Sequence, residues 1–170
     1  MSTIPLASAA TEFLAQERLA VVGVSRDPRQ PANLIYRRLR ETGHRVFAVN
    51  PAATEVEGDP CYASVRALPE AVDGAVVVTP ADVSAAVVED CAAASVPRVW
   101  LHRGLGPGSL SAEAVDVAHE HGIDVIPGGC PNMFGATSDR PHRVMRRVLQ
   151  LAGKVPRCVE GCEGGRSREA

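Results

Sequence analysis

One stretch constrains the fold more than any other part of the chain, and it runs from Leu19 to Asn33. Its apolar start ends at Gly23, a polar loop with Arg26 and Arg29 follows, and a helical pattern begins at about Asn33. This order is typical of the buried first strand of a doubly wound parallel sheet. Glycine allows the backbone to approach a ligand closely, and the N–H groups of a following helix favour an anion. The stretch therefore predicts a site for a phosphate-bearing ligand.

The rest of the chain alternates between short apolar runs and helical patterns. Strands are predicted at 19–24, 45–49, 74–78, 98–101 and 123–126, with a short strand at 61–62, and helices at 1–18, 33–42, 81–95, after Ser111, and at about 139–152. The alternation predicts an α/β, Rossmann-like fold: a doubly wound, mostly parallel sheet of five to six strands with helices on both faces. Residues 1–156 are expected to form a single domain and residues 157–170 a flexible C-terminal tail.

The last predicted helix has apolar residues at helical spacing, which predicts one buried face. The residues expected on that face are Val144, Met145, Val148, Leu149 and Ala152. Its four arginines, at 140, 143, 146 and 147, are expected to form a solvated basic surface.

Composition limits the class of partner and the compartment. Hydrophobic residues make up 45% of the 170 residues and the formal charge is −2, which excludes wholesale disorder and disfavours nucleic acid as a partner. No apolar run approaches the length of about 18 residues that a membrane span needs. The five cysteines are irregularly spaced and no secretory signal precedes them, so we expect reduced thiols and a cytoplasmic location, with no membrane partner.

The carboxyl ends of the predicted strands indicate where a ligand would bind, because ligands of open parallel sheets lie there. Ser25, Arg26, Asn50, Thr79 and Arg103 follow different strands and are expected to converge on one rim, although such loops also need turn residues for purely structural reasons. Neither the G-x-G-x-x-G sequence nor an acidic residue after the second strand is present, and both are expected of an NAD site. NAD is therefore disfavoured.

Several ordered motifs carry a family resemblance. They are Val21-Val-Gly23-Val-Ser25, Gly43-His-Arg-Val46, Val49-Asn50-Pro51, Gly58-Asp-Pro60-Cys61-Tyr62, Val78-Thr79-Pro80, Trp100-Leu-His102-Arg103-Gly104 and Pro127-Gly-Gly129-Cys130-Pro131. With them, residues 17–135 resemble the CoA-binding domain of the succinyl-CoA synthetase α subunit. The resemblance is stronger to small stand-alone proteins built from that domain alone.

The resemblance implies a site for coenzyme A, held by its pyrophosphate and its 3′-phosphoadenosine. It implies that Gly23, Val24, Ser25 and Arg26 contact the pyrophosphate, that Asn50 and Pro51 lie near the adenosine, that Thr79 and Pro80 flank the adenine or ribose, and that His102 and Arg103 line the strand end nearer the pantetheine.

The resemblance does not extend to catalysis. The phosphate-carrying histidine of the synthetases lies in a second domain, which these 170 residues do not include, and no other catalytic or metal-ligating constellation stands out. His119 and His142 are expected on helix surfaces. Cys130 follows two glycines at a strand end, where its thiol could exchange with a pantetheine sulfur or could simply pack in a tight turn.

These observations predict a non-catalytic module that binds CoA or an acyl-CoA, with a homodimer as a possible assembly. The alternatives are an NAD(P)-dependent oxidoreductase on the same fold, or a regulatory subunit that completes an acyl-CoA ligase.

Overall fold

The computed structural model describes residues 2–138 and 140–161. Its strands are β1 (Ser2–Pro5), β2 (Arg18–Val22), β3 (Arg45–Val49), β4 (Glu55–Val56), β5 (Asp59–Tyr62), β6 (Gly74–Val77), β7 (Arg98–Leu101), β8 (Asp124–Pro127) and β9 (Cys158–Gly161). Its helices are α1 (Leu6–Leu14), α2 (Pro31–Glu41), α3 (Ala81–Ala93), α4 (Ala112–Glu120) and α5 (Arg140–Leu151), with 3₁₀ turns at Val65–Ala67, Pro131–Met133 and Gly135–Thr137.

Seven strands form the main sheet, in the order β4-β5-β3-β2-β6-β7-β8. Strands β5, β3, β2, β6, β7 and β8 are parallel, and the two-residue β4 pairs antiparallel with β5 at the edge. In the central register Val22 lies between Val49 and Val77, so the ends of β2, β3 and β6 meet at one edge. The prediction of a doubly wound, mostly parallel sheet is confirmed, with β4 as an added edge strand.

Helices cover both faces of this sheet. One core layer packs residues of α1, α2 and α5 against the sheet, and the other packs residues of α3 and α4 against its opposite face. The strands between them are almost wholly apolar because both of their faces are buried.

Trp100 on β7 organises the first layer. Its ring lies edge-on to Phe13, with 5.4 Å between centroids, and 5.6 Å from the Phe134 ring. Its Nε1 donates a hydrogen bond to the Gly128 carbonyl at 3.0 Å, which fixes the loop after β8 to the core. The chain's only tryptophan thus positions a loop at the carboxyl edge of the sheet.

The two chain ends differ from the sequence prediction. Residues 1–18 were expected to form one helix, but β1 precedes α1 and pairs antiparallel with β9. Strand β9 occupies 158–161, inside the segment predicted as a tail, and residues 162–170 lie outside the described residues. Pairing between segments more than 150 residues apart leaves no mark in local periodicity, so the sequence pattern does not reveal it.

Helix α5 also differs from the prediction. Of the five apolar residues expected to be buried, only Leu149 is, while Met145 is partly buried and Ala152 is exposed. Val144 and Val148 are 63% and 56% exposed. The expected single face is in fact two stripes, one of which points away from the core. On the core side, the Arg146 guanidinium lies 5.0 Å from the centroid of the Phe134 ring.

Within residues 2–138 and 140–161, no helix has the length and apolar character needed to cross a membrane. The expected homodimer stays a prediction.

Candidate ligand-binding site

Two neighbouring clefts open at the carboxyl edge of the parallel sheet. The first cleft, of about 590 Å³, lies at the ends of β2, β3 and β6 and extends along α3. The second cleft, of about 570 Å³, lies at the ends of β6, β7 and β8 and reaches α2 and α5. Gln30, Val78, Thr79 and Pro80 line both clefts. Each has the volume of an ordinary small-molecule site, and together they form a site with two compartments.

Gly23 directly follows β2 and lines the first cleft. Its φ is +104°, and a Cβ added there would overlap the Val78 carbonyl oxygen and lie 2.9 Å from the Val78 carbonyl carbon. Its N–H donates to the Val49 carbonyl at 2.8 Å. The glycine is therefore required by the close approach of β2 to the end of β6, in addition to any approach of a ligand.

Asn33, which is buried on α2, fixes the loop after Gly23. Its Oδ1 accepts the Ser25 N–H at 2.9 Å, and its Nδ2 donates to the Ser25 carbonyl at 2.7 Å and to Glu57 Oε1 at 2.7 Å. Arg37 Nη1 donates to the same Glu57 oxygen at 2.6 Å. The loop is held to the helix by side-chain hydrogen bonds, so its shape does not depend on a ligand.

Asn50 performs the same role between β2 and β3. Its Nδ2 donates to the Val24 carbonyl at 2.8 Å, and its Oδ1 accepts the Ala52 N–H at 2.9 Å. The amide stands where an NAD site would have an acidic side chain, and its hydrogen bonds connect two strand ends.

Thr79 and Pro80 form the wall between the clefts. The Thr79 carbonyl accepts a hydrogen bond from Ser109 Oγ at 2.7 Å, and Thr79 Oγ1 lies 3.2 Å from Ser84 Oγ. Residues 104–109, which follow β7, are thereby joined to the end of β6.

The second cleft has buried polar groups that the first lacks. His102 is 8% exposed, and burial lowers the pKa of its imidazole to about 4, so the ring is neutral at pH 7. Asn132 is 5% exposed, and its buried Oδ1 has no hydrogen-bond partner among the described residues. Cys130 is 6% exposed and lines the same cleft as the apolar side chains Leu34 and Met145.

The structure brings together most of the residues that the sequence predicted. Gly23, Ser25, Asn50, Pro51, Thr79 and Pro80 line the first cleft, and Thr79, Pro80, His102 and Cys130 line the second. Val24, Arg26 and Arg103 line neither of the two. The Val24 side chain lies in the core, Arg26 is exposed beside the first cleft, and the Arg103 N–H donates to the Gly129 carbonyl at 3.0 Å.

Sequence reasoning missed Gln30, Asn33, Ser109 and Asn132. Asn132 ends the glycine- and proline-rich loop at 127–132, so the sequence indicates that it lies near a strand end. Nothing in the pattern shows that it is buried. Asn33 was taken only as a helix start, because its bonds to Ser25 and Glu57 depend on the folded loop. Among the described residues, no group of three or more His, Cys, Asp or Glu side chains could hold a metal ion.

Comparison with known proteins identifies the family. The family model described as "CoA binding domain" matches residues 17–136, and the chain belongs to that family. The predicted resemblance is thereby confirmed. Over 143 residues the chain is 34% identical to acetate–CoA ligase [ADP-forming] I of Archaeoglobus fulgidus. The aligned region makes up 81% of this chain and 21% of the ligase. The chain thus spans about a fifth of the length of that relative.

Solved structures of other proteins have a similar fold. A hypothetical protein from Pyrococcus horikoshii OT3 is 26% identical, with a TM-score of 0.69 covering 84% of this chain and 91% of that one. The dinucleotide-forming acetyl-coenzyme A synthetase 1 of Ca. Korarchaeum cryptofilum is 35% identical, with a TM-score of 0.57 covering 65% of this chain and 25% of the synthetase. The fold therefore occurs both as most of a small protein and as one part of a larger enzyme.

Proposed function

We propose that this protein is a binding module for coenzyme A, with the nucleotide in the first cleft and the pantetheine arm in the second. The observation that carries the proposal is the pair of adjoining clefts, which share the Thr79–Pro80 wall and lie at the carboxyl edge of the parallel sheet, where such sheets bind their ligands. Membership of the CoA-binding domain family supports this ligand.

The surroundings of the first cleft suit a phosphate-rich group. The loop that follows Gly23 carries Arg26 and Arg29 on its exposed side, and α2 begins at Pro31, directly after that loop. A helix N-terminus and nearby arginines both favour anions. Arg29 donates to Asp27 Oδ1 at 3.0 Å, which leaves Arg26 as the better candidate for a phosphate contact.

The surroundings of the second cleft suit an uncharged chain of methylene and amide groups. His102 is neutral, Leu34 and Met145 are apolar, and Asn132 has an amide oxygen with no partner in the described part of the chain. Buried polar atoms in native proteins are almost always hydrogen-bonded, so a ligand N–H is the natural donor to Asn132 Oδ1. The residues present therefore fit the pantetheine arm.

The test is titration calorimetry with CoA, 3′-dephospho-CoA and NAD in parallel. We expect CoA to bind, 3′-dephospho-CoA to bind more weakly, and NAD to bind weakest, because Asn50 occupies the position of the acidic ribose ligand of NAD sites. A preference for NAD, or no heat with any of the three, would overturn the proposal. Equal affinity for CoA and 3′-dephospho-CoA would remove the part of it that assigns the arginine loop to the 3′-phosphate.

A further inference from the structure

The second cleft holds a cysteine thiol close to its buried polar groups. Cys130 follows the last strand of the sheet, and the Gly129 carbonyl just before it accepts the Arg103 N–H from the end of β7. His102, which precedes Arg103, lines the same cleft as Cys130. The thiol therefore lies at the junction of two strand ends, facing the compartment that we assign to the pantetheine arm.

A second observation points to a ligand at the same place. Asn132, two residues beyond Cys130, is 95% buried, and its Oδ1 has no hydrogen-bond partner among residues 2–138 and 140–161. An orphaned buried amide oxygen is costly unless a bound group supplies the donor. A ligand that reaches this oxygen also reaches the cleft wall that Cys130 forms.

The chemistry of the cleft selects the end of the ligand that enters it. Its buried polar groups are an amide, a neutral imidazole, a hydroxyl and a thiol, and Leu34, Ile35 and Met145 line the apolar part. A pantetheine arm presents amides and methylenes and ends in sulfur. Bound with one amide at Asn132, it has its terminal sulfur in the compartment that contains Cys130.

We propose that Cys130 reacts by thiol–disulfide exchange with the disulfide of CoA, so that one CoA remains attached to the protein as a mixed disulfide. This rests on the proposed function. The Cys130 thiol loses its proton to solvent, the thiolate attacks one sulfur of the CoA disulfide, and a protein–CoA S–S bond forms as the original S–S bond breaks. The second CoA leaves as a thiolate and takes up a proton, so no other oxidant is needed.

The open edge of the second cleft allows a substrate with two CoA units. Residues 104–108 edge the second cleft, and Leu105 among them is 71% exposed. One arm can occupy the cleft while the departing CoA extends past this loop into solvent.

The test is intact-protein mass spectrometry after incubation with CoA disulfide, with peptide mapping of the modified cysteine. The proteins compared are the wild type, Cys130→Ser and Cys158→Ser, the last altering an exposed cysteine outside both clefts. We expect one added CoA on the wild type and on Cys158→Ser, and loss of the adduct in Cys130→Ser. Glutathione disulfide, which lacks the pantetheine arm, is expected to label Cys130 at least tenfold more slowly.

Reduced CoA separates this inference from the proposed function. Calorimetry with reduced CoA is expected to give the wild-type affinity for Cys158→Ser, and urea denaturation of Cys130→Ser shows that this variant folds. If CoA binds but Cys130 stays unmodified, or if glutathione disulfide labels it equally fast, the exchange is refuted while CoA binding stands. If reduced CoA binds neither protein, the proposed function itself fails.

Discussion

The two clefts differ in how their polar side chains are used. In the first, Asn33 and Asn50 direct both ends of their amides to the protein's own backbone or to Glu57. In the second, the Asn132 carbonyl oxygen is buried with no hydrogen-bond partner among the described residues. The polar side chains of the first cleft thus hold the protein's own loops in place, whereas the second cleft has a buried hydrogen-bond acceptor available to a ligand.

This difference separates two uses of buried asparagine. A fully bonded amide stabilises the fold and fixes a loop, so its removal should be measured first as lost stability. An amide oxygen without a partner costs free energy in the ligand-free protein, so its removal should be measured first as lost affinity. Each prediction below tests one side of this contrast.

The largest effect is expected at the floor of the first cleft. Gly23→Ala should lower the free energy of unfolding by about 4 kcal/mol, because strain at a positive φ adds to overlap with the Val78 carbonyl. Urea denaturation measures this. Gly43→Ala is the matched control: its φ is +95°, but a Cβ there meets no atom within 4 Å, so about 1 kcal/mol is expected. Equal losses would show that close approach is not the reason for Gly23.

The next effect concerns acid stability and the second cleft. Burial lowers the pKa of His102 to about 4, below the value of about 6.5 of an exposed histidine. The unfolded chain therefore binds a proton at this residue more readily than the folded one. The contribution to stability is fully present above pH 6.5 and is lost as the pH falls toward 4, by on the order of 3 kcal/mol.

Denaturation midpoints between pH 4 and pH 7 measure this loss. His102→Gln removes the titrating group, so its stability should fall less steeply over that window than that of the wild type. Identical slopes for both proteins would mean that the buried imidazole is not responsible for the acid sensitivity.

A smaller loss of stability is expected when Asn33, whose side chain holds the loop after Gly23, is truncated. Asn33→Ala removes hydrogen bonds to Ser25 and Glu57 and should cost about 2 kcal/mol in unfolding free energy. CoA affinity should fall as well, because the loop after Gly23 is no longer held. Urea denaturation and calorimetry give the two values. Full stability in this variant would contradict the role of Asn33 as a structural clamp.

The sequence predicted the parallel sheet better than it predicted the polar side chains of the site. Apolar runs that end in glycine or proline mark the buried parallel strands, so the sheet and the rim at Gly23, Asn50 and Thr79 could be predicted. The pairing of β1 with β9 could not, since it joins distant segments. The outward stripe of α5 could not either, because periodicity shows that a helix has apolar faces and not which of them meets the core.

Asn132→Ala is expected to change stability least, and it tests the contrast between the clefts most directly. No hydrogen bond to its Oδ1 is present to be lost within the described residues, so the free energy of unfolding should fall by only about 1 kcal/mol, from the small cavity that truncation leaves. CoA affinity should nevertheless fall about tenfold, the equivalent of one hydrogen bond to the ligand. Asn33→Ala is the reference, because there the larger change is in stability. If Asn132→Ala instead destabilises the protein as much as Asn33→Ala and leaves CoA affinity unchanged, both amides are structural, and the second cleft has no polar group set aside for a ligand.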